Sequence, residues 1–200
     1  MLFRSLIVDV LKTCERPLPR LCYVTDAGDN ETAFFHNMLQ HLRDPRDPTR
    51  RLKWIRIVDY YHAAERITTM ATSLFGKGSG VGFAWARRMR KLLKKQNGPN
   101  RVLRSAAAVS KQQKMSKTRQ QEFETAYNYI RSRTKYMQYA TYSKRHFPIG
   151  SGVTEAACKT VFTQRLKLSG MRWKTATAQA ILDLRDRKST RLNSSHALIS

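Results

Sequence analysis

Short apolar runs alternate with polar punctuation along this chain, and the period of the apolar positions changes as it proceeds. Residues 1–14 place Leu2, Leu6, Ile7, Val10 and Leu11 on one stripe, which predicts a helix that "RPLPR" then breaks. "RLCYVTD" is a β-prone apolar run ending in Asp26, and after the turn-like "AGDN" the stretch "ETAFFHNMLQHL" predicts a helix. "RDPRDPTR" reads as the loop that ends it, because proline has no place in a helix interior. In "LKWIRIVD", Ile55, Ile57 and Val58 accompany Trp54 and Arg56, which suits a largely buried strand terminating in Asp59.

From "YYHAAERITTMATSLF" onward the pattern is almost wholly helical, with "GKGSGVG" and "NGPN" separating the helices. The segment "KTRQQEFETAYNYIRSRTKYMQYATYSK" predicts one long amphipathic helix that buries Phe123, Tyr127, Ile130 and Met137. "FPIGSG" stops it, and a further helix is expected over 153–168. The order predicts an α/β, helix-rich fold, with a mixed sheet whose strands end in acidic residues at the edge where loops expose side chains to a ligand.

Length and composition narrow the picture. Two hundred residues suffice for one domain, or one domain with an insertion, and for a real core. Hydrophobic residues make up 41%, and the absence of a run of about 18 apolar residues argues against a membrane partner. Asp9 and Lys12 interrupt the apolar opening and no small-residue cleavage site follows, so the expected location is cytoplasmic. Cys14, Cys22 and Cys158 form no CxxC pair, so they predict free thiols rather than a disulfide framework or a zinc site. The formal net charge of +24 and the pI near 10.7 point to a polyanionic partner, of which nucleic acid is the commonest.

The helical pattern of "KTATAQAILDLR" stops abruptly after Arg185. Residues Asp186 to His196 resemble one reading frame of a common sequencing adapter, so 186–200 is expected to be non-native and is set aside from fold reasoning. The basic excess survives its removal. The protein is then expected to be a truncated piece of a longer chain.

Three carboxylates stand out in so basic a chain. Asp26 and Asp59 each end an apolar strand, and neighbouring strands lie about 5 Å apart. Joined by a third carboxylate from a helix over the sheet edge, they could hold magnesium ions about 3.5–4 Å apart and activate water or a 3′-hydroxyl for in-line attack on a phosphodiester. Each also has a plainer reading. Asp26 suits an Asx turn, Asp59 suits the N-cap of the helix at Tyr60, and Glu155 suits the first turn of a helix or an i,i+4 pair with Lys159. His62 can be a structural histidine or can orient Asp59. In "QRLKLSGMRWK", Arg165, Lys167, Arg172 and Lys174 can contact phosphates while Trp173 stacks on a base, or they form a solvated face with Trp173 in the core. In "WARRMRKLLKK", Arg87, Arg88, Arg90, Lys91, Lys94 and Lys95 go nearly all round a helix whose Trp85, Met89, Leu92 and Leu93 pack inward, which suits a DNA-facing insertion helix or a merely solvated one.

The blocks "VTDAG", "DYYHAAE", "PIGSGVTEAACK" and "RLKLSGMRW" occur in an order that resembles bacterial insertion-sequence transposases of the Kra group, DDE enzymes related to the Mutator class. The resemblance covers residues 20–185. It implies a partial RNase H-like core with a large all-α insertion: core over 1–62, helical insertion over 63–147, and core helices carrying Glu155 over 148–185. It also implies DNA transposition and recombination by metal-dependent strand cleavage and transfer. The cofactor would be Mg2+ or Mn2+. The partners would be the transposon ends and the target DNA, with self-association allowed, and the site of action the bacterial nucleoid.

Carried over by position, Glu155 becomes the final glutamate, Asp26 the second aspartate, and Asp59 with His62 the (C/D)xxH signature. Gly150 and Gly152 would let the chain turn so that Glu155 reaches the metals. The first aspartate then has no good counterpart, since Asp9 sits in a helical pattern, and the fragment is expected to be weak or inactive. An alternative counts Asp26 first and Asp59 second. A reading from another class is a basic, helical nucleic-acid-binding protein without catalysis.

Overall fold

The computed structural model describes residues 2–152. A helix α1 (Leu2–Thr13) leads into a strand β1 (Leu21–Thr25) and a helix α2 (Asp29–Asn37), followed by a single 3-10 turn at Leu39–His41. A small hairpin, β2 (Arg43–Asp44) with β3 (Asp47–Arg51), precedes strand β4 (Trp54–Val58). Helices α3 (Tyr60–Phe75), α4 (Gly80–Leu93), α5 (Gly98–Ser110), α6 (Lys117–Arg133) and α7 (Tyr139–Lys144) follow. The mixed α/β, helix-rich class expected from the apolar pattern is what forms. Among the described residues, no helix is long and apolar enough to cross a membrane.

β1 and β4 pair in parallel, Leu21 with Trp54 through Thr25 with Val58. A parallel pair needs a crossover, and α2 with the hairpin provides it. Ile57 and Val58 are fully buried and pack with Ile67, Met70 and Leu74 of α3, and with Val102 of α5, Ile130 of α6, Met137 and Tyr139. Each such aliphatic side chain contributes about 1.5–3 kcal/mol by leaving water, so β4 and the helical block share one core. A second cluster gathers Leu11, Phe35, Leu39, Leu42 and Leu52.

Three local expectations are corrected. Residues 43–50 are not a plain loop: Asp44 pairs with Asp47 across a tight hairpin. Arg16 grips the Asp44 carboxylate through both guanidinium nitrogens at 2.5 and 2.7 Å, and the same carboxylate accepts from the Arg46 N–H at 3.0 Å. Pro45 falls in the turn and Pro48 on an open edge, positions that need no N–H donor.

The long helix over 117–144 is interrupted. After α6 the chain tightens into a 3-10 turn at Thr134–Tyr136, and Met137 leaves helical geometry (φ −112°, ψ 37°). That break turns both Met137 and Tyr139 into the core, where each is fully buried, and Tyr139 donates to the Val58 carbonyl at 2.9 Å. On α1 the apolar stripe divides, with Leu11 buried while Leu6 and Val10 stay exposed.

Candidate functional site

Parallel pairing brings the two aspartate-terminated strands side by side with their C-terminal ends together. Thr25 and Val58 are register partners, and the Asp59 N–H donates to the Thr25 carbonyl at 2.7 Å, extending the ladder by one bond. Asp26 and Asp59 therefore leave the same edge of the sheet on neighbouring strands. Their surroundings differ sharply.

Asp26 is exposed. Its Oδ1 accepts only a long hydrogen bond from the Gly28 N–H, at 3.3 Å, which is the Asx turn that its residue type favours. The next residue, Ala27, adopts a left-handed conformation (φ 56°) yet is fully buried. This strained turn is held from α6. Tyr129 donates its hydroxyl to the Asp26 carbonyl at 2.5 Å, and Arg133 donates to the Ala27 carbonyl from Nε at 3.1 Å and Nη2 at 2.9 Å. The guanidinium groups of Arg133 and Arg66 stack on the Tyr129 ring, 4.3 and 5.0 Å from its centre. Burial pushes the Tyr129 phenol pKa up, against the pull of these cations, so it stays a donor.

Asp59 is fully buried. Its Oδ1 accepts from the Tyr61 N–H at 2.6 Å, the N-cap bond of α3. Its Oδ2 accepts from both the N–H and the hydroxyl of Ser151 at 2.5 Å each. Burial alone would raise the carboxyl pKa, but the Ser151 side chain and the N–H groups of Ser151, Tyr61 and His62 outweigh it and hold it below the usual value. His62 thus serves Asp59 through its backbone, while its ring pairs with Glu65 at 3.5 Å.

Through these bonds Asp59 ties the segment at 149–151 to the start of α3, and the Tyr60 N–H adds a bond to the Ile149 carbonyl at 2.8 Å. Gly150 is required here by a close approach and not by a left-handed turn. A Cβ on it would lie 2.8 Å from two Tyr61 ring carbons, whereas the positive-φ glycines among the described residues are Gly76 and Gly78.

The donor set can be tested against a divalent cation. Asp26 offers an exposed, lightly engaged carboxylate and fits as a single ligand. Asp59 does not fit while the Ser151 latch stands, because its Oδ2 lone pairs are already taken. No group of three metal-ligating side chains occurs among the described residues. Asp9 is remote in character as well as sequence, lying exposed on α1 and paired with Lys12 at 3.4 Å. Glu155, Gly152 as a hinge toward it, Arg165, Lys167, Arg172, Trp173 and Lys174 belong to a segment of which only the first residue is described, and the five basic or aromatic candidates and Glu155 lie outside the described residues.

Ser151, Tyr129 and Arg133 escaped the sequence reading. Their roles depend on contacts separated by 92, 103 and 106 residues, which no local pattern encodes. The "GSG" that precedes Glu155 did mark a tight turn, but not which serine would bind a buried carboxylate. No family model, curated protein or solved structure matches the chain.

Proposed function

We propose that the chain is part of a DDE-type transposase that binds DNA and contributes acidic ligands for metal-dependent strand cleavage and transfer. The observation that carries this reading is the pair of aspartates leaving neighbouring parallel strands at one edge, in a chain whose net charge of +24 suits a polyanionic substrate. Asp26 is the ligand in this assignment, with Glu155 as its partner. Asp59 is a positioning residue: through Ser151 it anchors the segment that runs on to Glu155, four residues further along the sequence. Mg2+ or Mn2+ would supply the charge that activates water or a 3′-hydroxyl.

A second reading, a basic nucleic-acid-binding protein without catalysis, is favoured by one specific feature. The Asp59 carboxylate is saturated by protein donors, as expected of a purely structural cap. Titration of Mn2+ into the full chain, followed by electron paramagnetic resonance, separates the two. The catalytic reading expects one bound-ion signal that weakens at least about tenfold in Asp26→Asn and in Glu155→Gln, with duplex binding retained. No bound Mn2+, or binding indifferent to both substitutions, would establish the second reading.

A further inference from the structure

Between Glu65 and Glu122 the chain holds fourteen lysines and arginines and not one aspartate or glutamate. Folding sorts this stretch cleanly. Trp85, Ala86, Met89 and Leu93 of α4 and Val102, Leu103 and Ala106 of α5 are buried, and the cations are exposed except for the half-buried Arg66, Arg90 and Arg119. Arg88, Lys91 and Lys95 succeed one another along one side of α4 and the turn that ends it. With Arg101 of α5 they line an open groove of about 540 Å³. All four are exposed, and none of their side chains has an ion-pair or hydrogen-bond partner among the described residues.

The geometry points to one occupant. From Arg88 to Leu93 the helix rises about 8 Å, near the axial span of about three phosphates on one strand of a duplex, and Lys95 in the following turn extends the row. We propose that the α4–α5 groove seats the phosphate backbone of duplex DNA. This inference rests on the DNA-acting reading above and adds to it the surface on which the duplex lies. An anionic membrane is the poorer fit along this groove, because Trp85, Ala86, Met89 and Leu93 of α4 are buried in the core and the exposed Val81 and Phe83 lie at the opposite end of the helix from Lys91 and Lys95.

The groove is also well placed. The Tyr60 hydroxyl donates to the Arg90 carbonyl at 3.1 Å, and the Lys94 ammonium sits 5.1 Å from the centre of the Tyr60 ring. The C-terminal end of α4 thus adjoins the start of α3, next to the strand ends that carry Asp59 and Asp26. Backbone contacts here carry no sequence information; they fix position and orientation.

The test measures duplex binding by fluorescence anisotropy with the full chain and a mixed-sequence duplex, between about 50 and 200 mM salt. Combining Arg88→Gln, Lys91→Gln, Lys95→Gln and Arg101→Gln should make the slope of log K against log salt shallower by about 3–4 and weaken binding more than about 100-fold. A matched control removes four exposed charges elsewhere, by Arg46→Gln, Arg50→Gln, Arg51→Gln and Lys53→Gln, and its slope should change by less than about 1. Circular dichroism melts confirm that both variants fold. Equal losses in the two variants would overturn the groove while leaving the DNA-acting reading in place. Failure of the unaltered chain to bind duplex would overturn both, and binding to phosphatidylserine vesicles without duplex binding would replace the groove's occupant by a membrane.

Discussion

The two ends of charge in this molecule are handled in opposite ways. At the C-terminal edge of the β1–β4 sheet, a negative charge is buried and met by protein donors. Asp59 is fully enclosed, and three hydrogen bonds of 2.5–2.6 Å converge on its carboxylate. On the α4–α5 face, positive charges are exposed and have no protein counterpart among the described residues. The first region is complete in itself, so altering it should damage folding. The second is incomplete without an external anion, so altering it should damage binding and spare the fold. The contrast separates residues that maintain the structure from those that await a partner.

The sharpest break in this contrast is Asp59→Ala. It removes the α3 cap and strands the Ser151 donors, and we expect a loss of about 3 kcal/mol in urea unfolding. A loss below about 1 kcal/mol would mean that the carboxylate is not the hub of this edge. Next comes Tyr139→Phe, which deletes the hydroxyl that serves the Val58 carbonyl in the core. That change should cost about 1–2 kcal/mol by the same measurement. Substituting Ser151 by alanine leaves its N–H bond to Asp59 and should cost about 1 kcal/mol.

Acid should weaken this edge and the β2–β3 hairpin together. The Asp44 carboxyl is drawn down to about 2, chiefly by the Arg16 hydrogen bond and then by the Arg46 N–H. Asp59 is also held low. Both groups bind protons less readily in the folded than in the unfolded chain, so their stabilisation is present above the ordinary value of 3.8 and is lost as pH falls toward 2. The urea midpoint should therefore be steady from about pH 7 to 5 and decline below about 4. Asp44→Asn should flatten part of that decline. A midpoint that rises on acidification would contradict the assignment.

The smallest expected effect lies on the cationic face. Neutralising Arg88, Lys91, Lys95 and Arg101 together should change stability by less than about 0.5 kcal/mol per site, and in the stabilising direction, because like charges repel. Added salt should raise the melting temperature of the unaltered chain more than that of this variant, since screening relieves the same repulsion. A large destabilisation would show that these side chains support the fold.

Much of this was legible in the chain. The strands ending at Asp26 and Asp59, the helix from Tyr60 to Phe75 and the burial of Trp85, Met89, Phe123 and Ile130 follow from period and punctuation. The hairpin at 43–51 was hidden because its stability comes from Arg16, a residue 28 positions away from Asp44. The helix break at Thr134–Tyr136 was hidden because the local sequence is helix-compatible and only the core's claim on Met137 and Tyr139 decides it. Among the site residues, Asp26 and Asp59 were visible as strand terminators. Which of the two would stay open was not, since that depends on Ser151 closing over Asp59 from 92 residues away.

Sequence by itself determined the elements, the apolar faces and the large positive charge, because these depend on residue type and spacing within a few turns of chain. Tertiary structure alone decided that the two aspartates share an edge, that one is buried and the other exposed, and that Arg88, Lys91, Lys95 and Arg101 form one groove. The physical reason is the same in each case. A charge acquires its character from how much water and how many donors remain beside it, and that is fixed only when distant segments pack together.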